Sequence, residues 1–149
     1  MPQPDSTIDP RGPRFAAWVT TAVLVIVLVT GSGVLLAAQA IVFAVGAFAG
    51  LRLHPYGQLY RTFVAPRLGP PTRREDPTPV RFAQGVGLAF TAIGTIGYAT
   101  GLTALAVTVT ALALGAAFLN AAFALCLGCE IYLQLPLQLR SRQAPPGAR

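Results

Sequence analysis

Two long stretches without a charged residue dominate the hydropathy pattern of the chain. The first runs from Phe15 to Leu51 and the second from Phe82 to Cys129. A single helix over the first stretch would be about 55 Å long, whereas the hydrocarbon core of a bilayer is about 30 Å thick. The length and continuity of each stretch therefore predict two membrane spans rather than one.

Glycine residues mark the turn inside each stretch. Gly31 and Gly33 interrupt the first stretch and Gly101 interrupts the second, and glycine readily adopts the positive φ angles that end a helix. The predicted spans are residues 15–29, 34–51, 82–98 and 103–126. The predicted fold class is thus an all-α membrane protein whose four transmembrane helices form two helical hairpins.

Charged residues are confined to the segments that flank the spans. The Arg residues lie at the N-terminal end, in the central segment from Arg52 to Arg81, which includes the predicted cytoplasmic loop of residues 52–80, and in a C-terminal tail of residues 136–149. Arginine accumulates on the cytoplasmic side of membrane proteins, so both termini are predicted to be cytoplasmic and the protein to be a multi-pass plasma-membrane protein. Residues 1–13 form a polar N-terminal tail, and residues 14–135 form the transmembrane domain.

Composition supports a membrane protein rather than a nucleic-acid-binding one. Only 11% of the residues are charged, against about 25% in soluble domains. The net charge of +6 is not accompanied by a basic and aromatic recognition module, so the expected partner is the lipid bilayer and not nucleic acid. Within the central loop, residues 56–68 are predicted to form a short interfacial helix, followed by a Pro-rich segment.

The two apolar stretches begin and end alike, which suggests a duplicated hairpin. Arg14-Phe15-Ala16 opens the first stretch and Arg81-Phe82-Ala83 opens the second, and Tyr60 and Tyr132 follow the respective hairpins. Two such copies would be related by an axis along the membrane normal. The alternative is a chance resemblance between Ala-rich helices. Four slender helices bury limited surface, so a homodimer is also compatible with the sequence.

The most specific chemical feature is the Cys-x-x-Cys pair formed by Cys126 and Cys129. Thiols at this spacing on a helix share a face and can close a disulfide if the backbone adjusts. Because the fourth span is predicted to run to Cys126, we expect the pair at a helix C-terminus, where the helix dipole disfavours a thiolate. Glu130 would oppose ionisation further, and His54, at the corresponding end of the first hairpin, is a candidate activator.

Three interpretations of the cysteine pair remain open at this stage: structural packing, redox or sulfur-transfer chemistry, and metal binding. A structural zinc site needs about four ligands, which Cys126, Cys129, His54 and Glu130 could supply. No second cysteine pair supports such a site, so neither a metal nor a cofactor is predicted. Gln39 and Asn120 are expected to form hydrogen bonds between spans rather than to line a transport path.

Five segments together resemble a known family. They are residues 9–15, 54–57, 66–71, 81–84 and 126–130. In combination they are similar to an actinobacterial family of small membrane proteins described only as a domain of unknown function. The resemblance implies a four-helix plasma-membrane protein with Cys-Leu-Gly-Cys-Glu as its hallmark. It also implies genes that lie beside those of thioredoxin-like proteins and thiosulfate sulfurtransferases.

The sequence therefore predicts a membrane thiol protein. Cys126 and Cys129, supported by His54 and Glu130, would exchange disulfides or transfer sulfane sulfur with a soluble thioredoxin-like or rhodanese-like partner. As an enzyme it would be a thiol–disulfide oxidoreductase or a sulfur carrier. One alternative is a non-enzymatic membrane subunit or scaffold whose cysteines only pack, and a second is a small-solute transporter.

Overall fold

The computed structural model describes residues 7–136 and residue 139, and in this range the chain is predominantly helical. The helices are α1 (Arg11–Thr30), α2 (Gly33–Ala44), α3 (Pro55–Leu59), α4 (Ala65–Leu68), α5 (Pro77–Thr100), α6 (Thr103–Phe123) and α7 (Leu127–Gln134). A π-helical turn, Val45–Ala49, continues α2, and a second one, Tyr60–Val64, joins α3 to α4. The prediction of an all-α fold is confirmed.

Three helices are long and apolar enough to cross a membrane: α1, α5 and α6. The 12-residue α2 and its 5-residue π-turn form a shorter apolar helix, Gly33–Ala49. The surface of the helices is rich in exposed apolar side chains, among them Val34 at 83% and Phe48 at 77% exposure. Such an apolar surface is compatible with a membrane environment.

The two glycine turns lie where the sequence places them. Gly31 ends α1 with φ 66°, and Gly101 ends α5 with φ 80°, so both adopt the left-handed conformation that terminates a helix. Ser32 then starts α2, because its side chain accepts a hydrogen bond from the Leu35 N–H at 3.2 Å. Each turn is only two residues long, which makes the flanking helices antiparallel neighbours.

Each hairpin packs mainly against the other hairpin. Helix α1 lies along α6 and α2 lies along α5, which joins the two hairpins, and α5 also packs along α6 within the second hairpin. Near the glycine turns, Leu24, Val27 and Leu36 are fully buried and form an apolar core. The opposite end of the bundle, where the second helix of each hairpin finishes, is more polar and holds both candidate sites.

Several helix boundaries differ from the predicted ones. Helix α1 begins at Arg11, inside the predicted tail, because Asp9 accepts hydrogen bonds from both the backbone N–H and the guanidinium of Arg11. The first hairpin ends at Ala49 rather than at residue 51, and α6 ends at Phe123 rather than at Cys126. The segment predicted as an interfacial helix is helical over residues 55–68. The predicted C-terminal tail lies outside the described residues apart from residues 136 and 139.

Substitution of Gly94 by alanine is expected to destabilise the bundle. A Cβ at this position would lie 2.8 Å from Leu36 Cδ2 and 3.2 Å from Thr110 Oγ1, so either the fully buried Leu36 side chain or α5 itself would have to shift. Overpacking of this kind lowers the free energy of unfolding by about 1–3 kcal/mol. Thermal melting of the detergent-solubilised variant, followed by circular dichroism, measures the effect.

Gly115→Ala is the matched control, since a Cβ there meets nothing within 4 Å. The control should be neutral or should stabilise helix α6 by up to about 1 kcal/mol. Equal melting temperatures for the two variants would contradict the close approach of α5 to α2 and α6.

Candidate functional site

Helix α6 ends at an alanine in an unusual backbone conformation. Ala124 has φ 56°, the one positive φ found at a non-glycine residue in the described part of the chain. Its N–H donates to the Asn120 carbonyl, which is the 5→1 bond of a helix that ends in the left-handed conformation, and the next N–H, that of Leu125, donates to the Leu119 carbonyl. The left-handed conformation costs an alanine about 1–2 kcal/mol, so tertiary contacts must stabilise this helix end.

An arginine from the other hairpin provides one such contact. The Arg14 guanidinium donates through Nη2 to the Ala121 carbonyl at 3.3 Å. The last carbonyls of a helix have no partner within the helix, and Arg14 supplies one of them with a charged donor. Helix α6 therefore stops three residues before Cys126.

The cysteine pair opens a new helix. Cys126 is the N-cap of α7, with an extended backbone (φ −85°, ψ 98°), and its Sγ accepts a hydrogen bond from the Cys129 N–H at 3.3 Å. Cys126 and Cys129 are joined by a disulfide, with their Cα atoms 5.2 Å apart. The expectation that the pair lies at a helix C-terminus is wrong, because α6 ends early. At a helix N-terminus the dipole and the free N–H groups favour a thiolate.

The dithiol segment is held tightly against α5. A Cβ at Gly128 would lie 2.6 Å from Ala83 Cβ and 2.7 Å from Ala83 Cα. Position 128, directly before Cys129, therefore has room only for glycine. One turn further along α7, the ring of Tyr132 packs on that of Phe82 at 5.6 Å. Both cysteines are nevertheless partly exposed, and Glu130, in the first turn of α7, is exposed.

His54 occupies the matching place in the first hairpin. It is the N-cap of α3, and its Nδ1 accepts a hydrogen bond from the Gly57 N–H at 3.3 Å. The imidazole is only 4% exposed. Burial lowers the pKa of His54, and the neighbouring Gln84 side chain partly opposes this shift. Because Nδ1 is an acceptor, the proton of the neutral ring is assigned to Nε2.

Four side chains, Gln39, His54, Tyr56 and Gln84, form what we call the polar cluster. The Tyr56 hydroxyl donates to Gln39 Oε1 at 2.7 Å, and the His54 and Tyr56 rings meet edge to face at 5.5 Å. A Cβ at Gly46 would lie 2.7 Å from His54 Cδ2 and 2.9 Å from Gln84 Cγ, so the glycine makes room for both. Gln39 is 1% exposed.

Sequence reasoning singled out Gln39 and His54 but did not join them. It missed Gln84, although a glutamine inside an apolar span was a detectable signal. It also placed Tyr56 in the predicted interfacial helix of residues 56–68 and did not connect it with Gln39. Asn120, the other amide singled out, contributes its backbone carbonyl to the end of α6.

The dithiol segment and the polar cluster meet helix α5 at two consecutive residues, Ala83 and Gln84. Ala83 contacts the dithiol segment at Gly128, while Gln84 belongs to the polar cluster. In the described part of the chain, no three His, Cys, Asp or Glu side chains are close enough to hold a metal ion. His54 and Glu130 therefore do not join the cysteine pair in such a group of ligands among the described residues.

The two hairpins repeat the same local features. Arg81 donates to the Ala47 carbonyl at 3.0 Å, as Arg14 does to the carbonyl of Ala121. The Phe15 and Tyr60 rings pack at 5.8 Å with a 44° tilt, and Phe82 and Tyr132 pack at 5.6 Å with a 47° tilt. In each half the N-cap residue, either His54 or Cys126, precedes this tyrosine by six positions.

Acidification is expected to destabilise the protein through His54. A lowered pKa means that the unfolded chain binds a proton more readily than the folded one. The stabilisation that the neutral His54 contributes to the folded protein is complete above the ordinary histidine pKa of 6.5. It is lost as the pH falls from that value towards the lower pKa of the folded state. Melting temperatures measured at about pH 7.5 and about pH 5 should therefore differ more for the wild type than for His54→Asn. Asparagine keeps an N-cap acceptor for Gly57 but does not titrate. An identical pH dependence in both proteins would show that His54 is already protonated, or accessible to water, in the folded state.

The comparisons with known proteins give a family but no activity. The family described as a domain of unknown function, DUF4395, matches residues 8–136. No curated protein and no solved structure matches the chain. The matched residues include both hairpins, the polar cluster and the dithiol. Because the match covers most of its length, the chain belongs to the DUF4395 family.

Proposed function

We propose that this chain is a four-span protein of the plasma membrane whose Cys126–Cys129 pair exchanges disulfides with a soluble thioredoxin-like partner. The observation that carries the proposal is the position of the pair. Cys126 caps the N-terminus of α7, and both cysteines are partly exposed. This is the placement in which reactive cysteines of oxidoreductases ionise.

The four-span arrangement rests on helix length and charge. The helix Gly33–Ala49 is close to the lower limit of about 17 residues for a transmembrane helix, and the other three long helices exceed that limit. The two glycine turns carry no charge, whereas the arginines lie at the opposite ends of the helices. By the positive-inside rule, both termini, the central loop and the dithiol face the cytoplasm.

The exchange reaction proceeds in two balanced steps. In the reduced protein, the Cys126 thiolate attacks a disulfide of the partner, forms a mixed disulfide and displaces one partner thiolate. The Cys129 thiolate then attacks Cys126 Sγ, closes the intramolecular disulfide and releases the partner as a dithiol. The reverse sequence reduces the protein, so the direction follows the redox state of the partner.

Cys126 is proposed as the attacking residue and Cys129 as the resolving one. As the N-cap, Cys126 receives a hydrogen bond from the Cys129 N–H, which stabilises a negative charge on its sulfur. Glu130 directly follows Cys129 and is exposed. The resolving thiol loses its proton to solvent, which reaches the partly exposed Cys129. His54 lies buried in the polar cluster, so its proposed support is structural.

Sulfane-sulfur transfer is the close variant of this reaction. A rhodanese-like partner would pass its sulfane sulfur to the Cys126 thiolate, leaving a persulfide there. Attack of the Cys129 thiolate on Cys126 Sγ would then release hydrosulfide and form the disulfide. The chemistry uses the same two residues, so the same variants test both reactions.

A scaffold function and a transport function are the alternatives from other classes. The buried hydroxyls of Thr91 and Thr110 donate to carbonyls of their own helices, which does not favour a polar path through the bundle. The tight fit of Gly128 against Ala83 is compatible with purely structural cysteines.

The proposal also includes duplication of an ancestral hairpin, supported by the matched arginine contacts and ring pairs of the two halves.

Trapping of the mixed disulfide tests the exchange reaction. Cys129→Ser leaves the attacking thiol but removes the resolving one, so it should accumulate a partner adduct that dithiothreitol releases. Cys126→Ser should accumulate far less of this adduct, and the double serine variant none. Acid quenching of native membranes, labelling with a mass-tagging maleimide and electrophoresis give the redox state of each variant.

Two results would contradict thiol chemistry. One is a wild-type protein whose thiols stay fully reduced under added oxidant. The other is a double serine variant that retains its partner as well as the wild type does, which would favour the scaffold function.

Reporter fusions test the topology. Alkaline phosphatase is active only outside the cytoplasm and green fluorescent protein fluoresces only when folded inside it. Fusions after Arg74 and after Arg149 should therefore be fluorescent and inactive as phosphatase. An insertion between Gly31 and Ser32 should give the opposite result. Phosphatase activity at the Arg149 fusion would rule out an even number of spans with a cytoplasmic N-terminus.

A further inference from the structure

A groove of about 500 Å³ opens on the surface where the end of the first hairpin meets α5. Ala47 and Phe48, at the end of that hairpin, form one wall. The other wall is one face of α5, formed by residues with helical spacing: Thr78, Arg81, Phe82, Gly85, Val86 and Ala89. The lining is thus polar at the start of α5 and apolar over the two turns that follow.

The length of the groove corresponds to one leaflet of a bilayer. Thr78 and Ala89 are eleven positions apart, so α5 rises about 16 Å between them. The hydrocarbon core of a bilayer is about 30 Å thick. With the start of α5 at the membrane surface, as the proposed topology has it, the groove ends near the bilayer midplane. An acyl chain of one leaflet therefore matches the groove in length and polarity.

Arg81 carries the charge at the polar end of the groove. Its Nε and Nη2 donate to the Ala47 carbonyl at 3.3 and 3.0 Å, which leaves Nη1 for an acceptor outside the chain. Arg81 forms no ion pair with a carboxylate of the described residues. Thr78 donates to Asp76, the exposed N-cap of α5, so the helix start is already capped and the anion site is the guanidinium. Three arginines and two acids lie between residues 73 and 81, which gives this end a net positive charge.

A tryptophan stands at the corresponding position of the first half of the chain. Gly85 lies four residues after Arg81, and Trp18 lies at the same distance after Arg14. The Trp18 ring packs edge to face on Phe118 with the ring centroids 6.4 Å apart. A Cβ at Gly85, in contrast, would meet nothing within 4 Å. The groove is therefore space that a large side chain occupies in one half and that stays open in the other.

We propose that the groove binds a phospholipid of net negative charge, with its phosphate at Arg81 and one acyl chain along α5. A guanidinium forms strong, charge-assisted hydrogen bonds with phosphate oxygens, and the apolar walls cover the chain. A zwitterionic phospholipid would bring a further cation to a segment with an excess of positive charge, so the site favours the negative lipid. Such lipids give the cytoplasmic leaflet its negative surface potential. The site rests on the proposed membrane topology and not on the thiol chemistry.

Binding is tested on the purified full-length protein in detergent. Mixed micelles are titrated with phosphatidylglycerol or with phosphatidylcholine of the same acyl chains, and native mass spectrometry counts the lipids that the protein retains. We expect selective retention of one phosphatidylglycerol. Gly85→Trp should lose this lipid, because the indole fills the groove as Trp18 fills the matching space. Ile96→Trp, at a position of α5 that is 62% exposed and outside the groove, is the matched control and should retain it.

Two charge variants separate the groove from the general charge of the surface. Arg81→Gln should weaken the apparent affinity for phosphatidylglycerol at least about tenfold, as expected for the loss of a charge-assisted hydrogen bond. Arg73→Gln removes the same charge from an exposed position outside the groove and should leave the affinity nearly unchanged. Gly85→Trp decides alone if Arg81→Gln does not fold.

Three results would each overturn the lipid site. They are equal retention of phosphatidylcholine, full retention of phosphatidylglycerol by Gly85→Trp, and an equal loss of affinity in the two arginine variants. The double serine variant of Cys126 and Cys129 should retain the lipid, and Gly85→Trp leaves both thiols in place. Failure of lipid binding is therefore distinguishable from failure of the proposed disulfide exchange.

Discussion

The architecture depends on how the second helix of each hairpin ends. A helix that stops inside an apolar bundle leaves carbonyl groups without partners, and in a low-dielectric environment this cost is high. Here an arginine from the other hairpin supplies the missing donor, Arg14 at Ala121 and Arg81 at Ala47. Each hairpin therefore completes the other, and neither helix end would form in the same way in a separated half.

These two helix ends create the candidate sites. Once the chain has left the helix, it can begin a new one, and the first residue of that new helix becomes an N-cap. In the first half the cap is His54, and the new helix turns its neighbour Tyr56 towards Gln39. In the second half the cap is Cys126, and the next turn contains Cys129. Close packing of glycine against α5, at Gly46 and at Gly128, fixes both segments.

The outline of the fold was accessible from sequence because its signals are local. Uncharged stretches gave the apolar helices, and Gly31 and Gly101 gave their turns. The end of α6 was not accessible, since no glycine or proline separates Gly115 from Gly128. The break at Ala124 is imposed by contacts distant in sequence, and missing it reversed the electrostatic inference about Cys126. The polar cluster was missed for a related reason, since its members come from α2, α5 and the segment between them.

The equivalent placement of His54 and Cys126 has an evolutionary consequence. Both residues perform the same mechanical task, accepting a backbone N–H bond at 3.3 Å to start a helix, and several side chains can perform it. The two positions differ in packing, because His54 is buried against Gly46 and Tyr56 whereas Cys126 is partly exposed. Only the second position carries a sulfur, the atom that the proposed exchange requires. The helix start at Cys126 needs only an acceptor atom, so a serine or aspartate there would keep the backbone of α7 while removing the thiol.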